Sequence, residues 1–234
     1  MQRRTYITAV GTAGLMGLAG CSGVTGDLDF TAKPATVEQA VAADAGYELQ
    51  ETTPIEINES VDVAGETREI NITTWTSGYQ SDTGPFIVLS TPNVEIAGQS
   101  LNPLARLSGS ELVGRLLEEA GGGDAISDLE PAGETEITVF GESATVEEFT
   151  ATLQASAGSG GESGGNLPAG AENGELPIRL YLLSVTHEGG DDNSDVVFAL
   201  TFHPQERGDP ETIYTLFESL QHPVEPPASA NSSQ

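Results

Sequence analysis

The chain has 234 residues, with 36 Asp or Glu against 8 Lys or Arg, and its formal net charge at pH 7 is −28. Such an excess of negative charge repels phosphate groups, so it disfavours nucleic acids and anionic lipid headgroups as partners. Apolar residues make up 37% of the chain, which is enough for one lean core, and the length predicts a single domain with tails.

The acidic balance is typical of proteins that function in molar salt. The Debye length falls to about 3 Å at 1 M salt, which removes most of the self-repulsion that would expand such a chain. A disordered acidic chain is the other class with this composition. Periodic apolar segments from residue 30 onward favour a folded domain, so we expect a halophilic protein.

The first 20 residues have the layout of a secretion signal. Arg3 and Arg4 precede an apolar stretch over residues 9–19, which is too short to span a bilayer. The stretch RRTYI, residues 3–7, resembles the twin-arginine export signal, which carries folded proteins. The general secretion route stays open as the alternative.

The only cysteine of the chain, Cys21, follows Leu18, Ala19 and Gly20. A single cysteine cannot form an internal disulfide. The four residues match the lipobox, in which a protease cleaves just before a cysteine that carries lipid. We expect residues 1–20 to be removed, and Cys21 to hold the protein on the outer face of the cytoplasmic membrane through a linker that ends at residue 29.

Residues 30–223 are predicted to form one α+β domain, beginning with a short helix and a long hairpin. Thr36 and Gln39 have the spacing of a capping box, and Gly46 would end the helix. Alternating apolar residues then predict two strands of a hairpin with one buried face, joined at VAGET, residues 63–67. The alternating positions are Tyr47, Leu49, Ile55, Ile57, Ile70 and Ile72.

The middle of the chain predicts a central strand, a helix and a second hairpin. Residues 86–89 are apolar without alternation, as in a strand buried on both faces. Residues 108–123 carry a helical apolar stripe that ends in three glycines, and residues 135–153 alternate as a hairpin. Residues 156–171 are rich in Gly and Ser, so we interpret them as a flexible insertion.

The end of the chain predicts two central strands and a helix. Residues 178–185 and 196–202 are apolar almost throughout. Asp209 and Pro210 are typical of a helix start, and Pro223 of a stop, after which residues 224–234 form a disordered tail. The resulting fold class is α+β, an antiparallel sheet of about seven strands with about three helices packed on it.

Three stretches resemble uncharacterised membrane-anchored lipoproteins of haloarchaea. They are RRTYI with LAGC, STPNVEIAGQSLNP with the helix that follows it, and the closing strand and helix. The closing stretch, VVFALTFHPQERGDPETIYTLFESL, is also similar to the end of PsbP/LpqN-like lipoproteins, where Phe217, Ser219 and Leu220 fit the pattern. Neither resemblance implies a catalytic residue.

Motifs with known chemistry lack the context that their chemistry needs. Residues 161–165 fit G-x-S-x-G but lie in the Gly/Ser-rich run rather than on a strand-to-helix turn. Residues 191–195 begin like a calcium loop, but Val196 stands where the loop needs Gly. We interpret His187, His203 and His222 as incidental. No catalytic residue, metal ligand or cofactor is therefore predicted.

Two further sets of residues are candidates for recognition or modification. Trp75 and Tyr79 flank a Ser-Gly pair, where they would pack as an edge cap or form a recognition patch. N-glycosylation sequons begin at Asn58, Asn71 and Asn231, and Asn71 should face outward because Ile70 and Ile72 face inward.

The leading hypothesis is an envelope lipoprotein without catalytic activity, which binds a protein or a small ligand outside the cell. It rests on the export signal and on the lack of any predicted site. An anchored hydrolase and a subunit of a membrane complex are the alternatives. Converging polar groups would favour the hydrolase, and a large exposed apolar patch would favour the subunit.

Overall fold

The computed structural model describes residues 28–63, 66–96, 99–100, 104–119, 125–154, 175–190 and 193–227. The predicted export signal, Cys21 and the Gly/Ser-rich insertion lie outside these ranges. No helix within them is long and apolar enough to cross a bilayer.

The described chain is mostly strand, with three α-helices and one short 3-10 helix (Leu104–Arg106). The helices are α1 (Gln39–Asp44), α2 (Gly109–Glu119) and α3 (Pro210–Glu218). The strands are β1 (Leu28–Thr31), β2 (Thr36–Val37), β3 (Glu48–Val63), β4 (Glu66–Gln80), β5 (Pro85–Pro92), β6 (Glu95–Ile96), β7 (Gln99–Ser100), β8 (Ile126–Val139), β9 (Glu142–Gln154), β10 (Glu175–Gly190), β11 (Asn193–Pro204) and β12 (Leu220–Gln221).

The main sheet has eight strands and is mixed, which corrects the prediction of a purely antiparallel sheet of about seven. Seven strands run β3–β4–β5–β11–β10–β9–β8, each antiparallel to its neighbours. The eighth, β1, pairs in parallel with residues 70–73 of β4. It lies beside β4 where β5 does not reach, because β5 pairs only with residues 75–80.

The predicted central strands are confirmed. β5, β11 and β10 each have a neighbour on both sides, and their side chains alternate between two apolar faces. Tyr181 and Leu183 of β10 face α1 and α3, whereas Leu180 and Leu182 face α2. A strand that is apolar at every position fits such a sheet because both of its faces are covered.

The helices therefore cover both faces of the sheet, and we name these the α1/α3 face and the α2 face. α3 begins as predicted: the Asp209 carboxylate accepts the backbone N–H of Glu211, and Pro210 follows the cap. The capping box predicted at Thr36 is wrong. Residues 36–37 form β2 and pair with β12, because the Tyr79 hydroxyl accepts the N–H of Val37 and holds it extended.

The two outermost strands, β3 and β8, each have one paired edge within the described chain. The predicted hairpin of β3 and β4 is confirmed. The prediction that one of its faces is buried is confirmed only in part. Leu49 and Ile55 of β3 are 49% and 42% exposed. Their exposure follows from the position of β3, since an outermost strand has no neighbour to cover its side chains.

Candidate functional site

A cavity of about 550 Å³ lies at the β3 side of the α1/α3 face. It forms where α1, the pair β2–β12 and the start of β3 surround Tyr79 of β4. Gly46, with φ of +78°, ends α1 and turns the chain into β3. The lining residues are Thr36, Val37, Gln39, Ala42, Ala43, Tyr47, Glu48, Leu49, Tyr79 and Gln221.

Packed aromatic rings form and support the inner wall of the cavity. Tyr47 and Tyr79 both pack edge-on against Phe86, with ring centroids 6.0 Å apart in each pair. Phe86 in turn packs on Phe217 of α3, at 5.4 Å. Burial raises the pKa of Tyr79, and the hydrogen bond from the Val37 N–H opposes the rise in part. The tyrosine is therefore a neutral phenol at physiological pH.

The chemistry of the cavity suits a ligand that is largely apolar. Its volume lies within the range of small-molecule pockets, about 300–1,000 Å³. Its lining includes alanines, a valine, a leucine and two tyrosines, and Glu48 is the one carboxylate among the lining residues. Since no Lys or Arg lines it, the site favours a neutral or cationic ligand over an anionic one.

A second feature of the same face is a group of polar side chains that we name the histidine cluster: Ser90, His187, Asp195 and His222. Asp195 is 1% exposed, and its Oδ2 accepts from His222 Nε2 at 3.0 Å. The same oxygen accepts the backbone N–H of Lys33 at 2.9 Å. His187 and His222 meet through their Nδ1 atoms at 3.2 Å, and Ser90 Oγ lies 3.4 Å from His222 Nε2.

The strand register explains how the cluster forms. His187 of β10 is the direct partner of Asp195 of β11, so their side chains share a face. His222 follows β12, and Phe140 from the turn between β8 and β9 packs 4.3 Å from the His187 ring. Sequence reasoning treated the histidines as incidental, because His222 lies 27 residues from Asp195 and 35 from His187.

The cluster does not have the arrangement of a Ser-His-Asp triad. In a triad, the two nitrogens of the histidine serve different partners, the serine on one side and the carboxylate on the other. Here Ser90 and Asp195 both approach Nε2 of His222, and Ser90 is fully buried. Nor do any three His, Cys, Asp or Glu side chains of the described ranges group so that they could hold a metal ion.

The other end of the α1/α3 face carries what we name the carboxylate cluster: Thr135, Glu148, Arg179 and Tyr214. The Tyr214 hydroxyl donates a short hydrogen bond to Glu148 Oε1, which also accepts from Thr135 at 3.2 Å. Arg179 lies 3.6 Å from Glu148 Oε2. Burial raises the pKa of Tyr214, and the bond to Glu148 adds to the rise. The cluster ties α3 to β9.

Two buried aromatic residues adjoin the carboxylate cluster. His203 is 2% exposed and lies so close to Gly208 that a Cβ there would come 1.5 Å from its ring. Burial lowers the pKa of His203, while the Pro204 carbonyl opposes this change and Arg179 adds to it. Tyr181 is also buried, and its hydroxyl has no hydrogen-bond partner within the described chain.

The structure does not support the predicted recognition patch. Trp75 and Tyr79 are 6% and 4% exposed, so they are packed and do not form a surface patch. Tyr79 lines the cavity, as described above. Asn58 is exposed on β3, and Asn71 is its direct partner on β4, where the Asn71 amide donates to Asp29 at 2.7 Å.

The remaining predicted sites lie outside the described residues. They are the export arginines Arg3 and Arg4, the lipobox residues Leu18, Ala19 and Gly20, the lipidation site Cys21, and the sequon at Asn231. The G-x-S-x-G match at 161–165 lies outside as well. Of the calcium-like motif, residues 193–195 are described and begin β11, and the side chain of Asp195 points into the histidine cluster rather than into a loop.

A protein-family model matches residues 34–221, which span the cavity lining and most of both clusters. The family is a domain of unknown function, DUF6517. The chain belongs to this family. No curated protein and no solved structure matches the chain. The matched DUF6517 region begins directly after Lys33, whose backbone N–H binds Asp195, and ends with β12.

Proposed function

We propose that this protein is an exported, lipid-anchored binding domain, and that the cavity beside α1 takes a small apolar ligand. The observation that carries the proposal is the cavity itself. It combines a volume of about 550 Å³, an aromatic inner wall and a polar rim that includes Gln39, Glu48 and Gln221. Such a site binds through buried apolar area, and the few rim groups orient the ligand.

Two exposed side chains of β3 allow a matched test of the cavity. Leu49 lines it, whereas Ile55 does not, and the two are similarly exposed. Binding of the neutral apolar dye Nile red is measured by fluorescence titration in molar KCl. We expect Leu49→Ser to weaken binding by about tenfold, because it removes apolar contact worth on the order of 1–2 kcal/mol. Ile55→Ser should bind like the wild type.

The control is necessary because a dye also adsorbs to exposed apolar side chains. Equal losses in the two serine variants would mean that the dye binds the outer strand rather than the cavity, and no saturable binding by the wild type would refute the proposal. Ala43→Trp offers a second check. Ala43 is exposed at the cavity wall, so a large side chain there should block the site without disturbing the core.

The anchor is tested separately. Arg3 and Arg4, the lipobox and Cys21 support export and lipidation. We expect Cys21→Ser to leave the precursor uncleaved or to release the protein from membranes, as judged by fractionation. Replacement of Arg3 and Arg4 by lysines should block export by the twin-arginine route. Wild-type protein in the soluble cytosol would refute the anchor, and unchanged export of the lysine variant would indicate the general secretion route.

The acidic composition supports a halophilic setting. Removal of residues 1–20 would take Arg3 and Arg4 from the eight basic residues and leave six against 36 acidic ones, so repulsion acts over the whole surface, and six basic residues cannot offset it through surface ion pairs of at most about 1 kcal/mol each. The thermal midpoint should therefore rise from millimolar to molar KCl, because salt first screens charge and then strengthens apolar burial. Equal midpoints would refute halophilic adaptation.

An anchored hydrolase is the second candidate, and the closeness of Ser90 to His222, which in turn contacts Asp195, favours it. Its test is labelling by a fluorophosphonate, which reacts with activated serines. If the protein is a hydrolase, the wild type should be labelled and Ser90→Ala should not be. A binding domain predicts no labelling of Ser90, since its hydroxyl is fully buried and shares the same histidine nitrogen with the carboxylate.

A further inference from the structure

One wall of the cavity is a two-stranded ribbon that lies across the α1/α3 face. We name residues 33–38 and residues 219–224 together the wall ribbon. Its two strands, β2 and β12, pair with each other in antiparallel fashion. Three residues of the ribbon line the cavity: Thr36, Val37 and Gln221. The position of the ribbon on the sheet therefore determines the shape of the cavity on this side.

The first strand of the ribbon is bonded to β4 at two points. The Ser77 hydroxyl donates to the Ala35 carbonyl at 2.8 Å, and the Val37 N–H donates to the Tyr79 hydroxyl at 2.8 Å. Both bonds are buried, where a hydrogen bond is stronger than in water. The middle of the first strand is thus fixed to the sheet independently of its ends.

The second strand of the ribbon depends on His222. Among the described residues, the hydrogen bonds that join residues 219–224 to the main sheet all come from the His222 ring. The shortest of them, at 3.0 Å, runs from Nε2 to Asp195 Oδ2 of β11. Gln221, which lines the cavity, directly precedes His222. The bond to Asp195 therefore helps to fix the position of Gln221.

Asp195 holds both strands of the ribbon with one oxygen. Its Oδ2 also accepts the backbone N–H of Lys33 at 2.9 Å, at the start of the first strand. The Asp195 side chain is 2% exposed, and that of His222 is fully buried. Without Asp195, two buried donors would lose their acceptor, and they could bond to water only if this part of the ribbon moved away from the sheet.

A ligand benefits when the ribbon is in place before it arrives. A wall that is already ordered costs no ordering entropy on binding. If the ribbon left the sheet for part of the time, the apparent affinity would be multiplied by the fraction of time in which it is in place. Asp195 is not among the residues that line the cavity, so it acts on a ligand only through the ribbon.

We propose that Asp195 is a positioning residue of the cavity, which sets the affinity for the ligand by holding both strands of the wall ribbon to β11. This inference rests on the proposed function of the cavity. The coupling acts in both directions, because a ligand that binds the ordered ribbon more tightly must also stabilise its hydrogen bonds.

Asp195→Ala is the test variant, because it removes the shared acceptor. Its affinity for Nile red is measured by fluorescence titration in molar KCl, at a temperature where circular dichroism shows that it is folded. We expect the affinity to fall about tenfold, as for a ribbon that is in place about a tenth of the time. Asp195→Asn retains an oxygen that can accept from both donors, so its affinity should stay within about twofold of the wild type.

Glu148→Ala is the matched control. It removes the other carboxylate of the same sheet face, whose partners Thr135, Tyr214 and Arg179 lie outside the ribbon. It should lower stability and leave the dye affinity unchanged. Equal losses of affinity in the two alanine variants, or undiminished affinity in Asp195→Ala, would overturn the inference. An asparagine variant as weak as the alanine variant would also overturn it, because the shared oxygen would then not hold the ribbon.

Hydrogen exchange of the ribbon amides decides the matter even if Asp195→Ala does not fold. The N–H groups of Lys33, Glu38 and Val224 are all hydrogen-bonded when the ribbon is in place. In the wild type, saturation with Nile red should slow their exchange by about fivefold or more, and unchanged rates with the dye bound would overturn the inference.

The same measurement separates this inference from the proposed function. If the dye did not bind the wild type, the proposed function would be overturned. Faster exchange of the Glu38 and Val224 amides in Asp195→Ala than in Glu148→Ala, by about tenfold, would still support the hold of Asp195 on the ribbon. Equal exchange in the two variants would overturn that hold as well.

Discussion

The histidine cluster and the carboxylate cluster lie at opposite ends of one sheet face, and each is centred on one carboxylate. Two hydroxyl groups bind Glu148, and a guanidinium lies near it. None of these three groups gains or loses a proton near neutral pH. Asp195 is bound by an imidazole and by a backbone N–H. The two ends of the face therefore differ in the partners of the carboxylate and not in the carboxylate itself.

The largest effect should come from removing the carboxylate of the histidine cluster. Asp195→Ala leaves the Lys33 N–H and His222 Nε2 without an acceptor in a buried site. Breaking such a pair typically costs about 3–5 kcal/mol, so we expect a loss near 3 kcal/mol in urea unfolding at about pH 7.5. Asp195→Asn retains a side-chain oxygen and should lose less. A loss below about 1 kcal/mol in the alanine variant would contradict the role given to Asp195.

The carboxylate cluster should contribute less to the free energy of unfolding than the histidine cluster does, and its contribution should not change with pH. Tyr214→Phe removes a hydrogen bond to a charged group, which costs about 2 kcal/mol, and the loss should be equal at about pH 8 and about pH 5.5. Tyr47→Phe is the matched control. Its hydroxyl has a neutral partner, Thr83, at 3.4 Å, so we expect a loss below 1 kcal/mol. A loss of unfolding free energy for Tyr214→Phe that differed between the two pH values would contradict this prediction.

His203 is the one source of acid sensitivity expected near the carboxylate cluster. Burial lowers its pKa in the folded protein. As pH falls, the unfolded chain therefore takes up a proton on His203 at a higher pH than the folded chain does. The free energy of unfolding is undiminished above about pH 6.5 and declines below it by at most about 1.4 kcal/mol per pH unit. Urea unfolding of His203→Phe should show a shallower acid decline than the wild type. An unchanged slope would mean that His203 is protonated equally in both states.

The smallest effect concerns the hydroxyl of Tyr181. It is buried and makes no hydrogen bond of good geometry within the described chain, where Arg179 is the donor that influences it, so Tyr181→Phe should be neutral or stabilising by up to about 1 kcal/mol. Burial also raises the pKa of Tyr181, with Arg179 opposing the rise. The folded state keeps this proton longer than the unfolded state, so stability is lost as pH rises through about 10. The variant should lose less in alkaline thermal melts, and a clear destabilisation near neutral pH would show that the hydroxyl is bound.

The sequence reveals the sheet better than the site. Residues 178–185 and 196–202 predict central strands because apolar side chains at every position need cover on both faces. The short strands β1, β2, β6, β7 and β12 were missed, because strands of two to four residues carry too few alternations to be recognised. The pairing of His187 with Asp195 could have been found by aligning the apolar positions across the hairpin of β10 and β11.

The position of His222 could not be predicted in the same way. It depends on how residues 220–224 return across the sheet after α3, and short polar stretches do not encode such a path. The cavity was missed for a related reason. Its walls come from four separate parts of the chain, at residues 36–43, 47–49, 79 and 221. Only the packing of α1 on the sheet brings them together.

The composition of the two outermost strands bears on how readily copies of this protein would pair edge to edge. β3 and β8 contain no basic residue, so the edges that are unpaired within the described chain repel those of another copy at low ionic strength. At 1 M salt that repulsion reaches only about 3 Å. Pro54 and Pro131, which lie within these strands, act at any ionic strength, since a proline offers no N–H to a strand from another copy. At high salt, resistance to fibre growth would thus depend on two prolines more than on the many carboxylates.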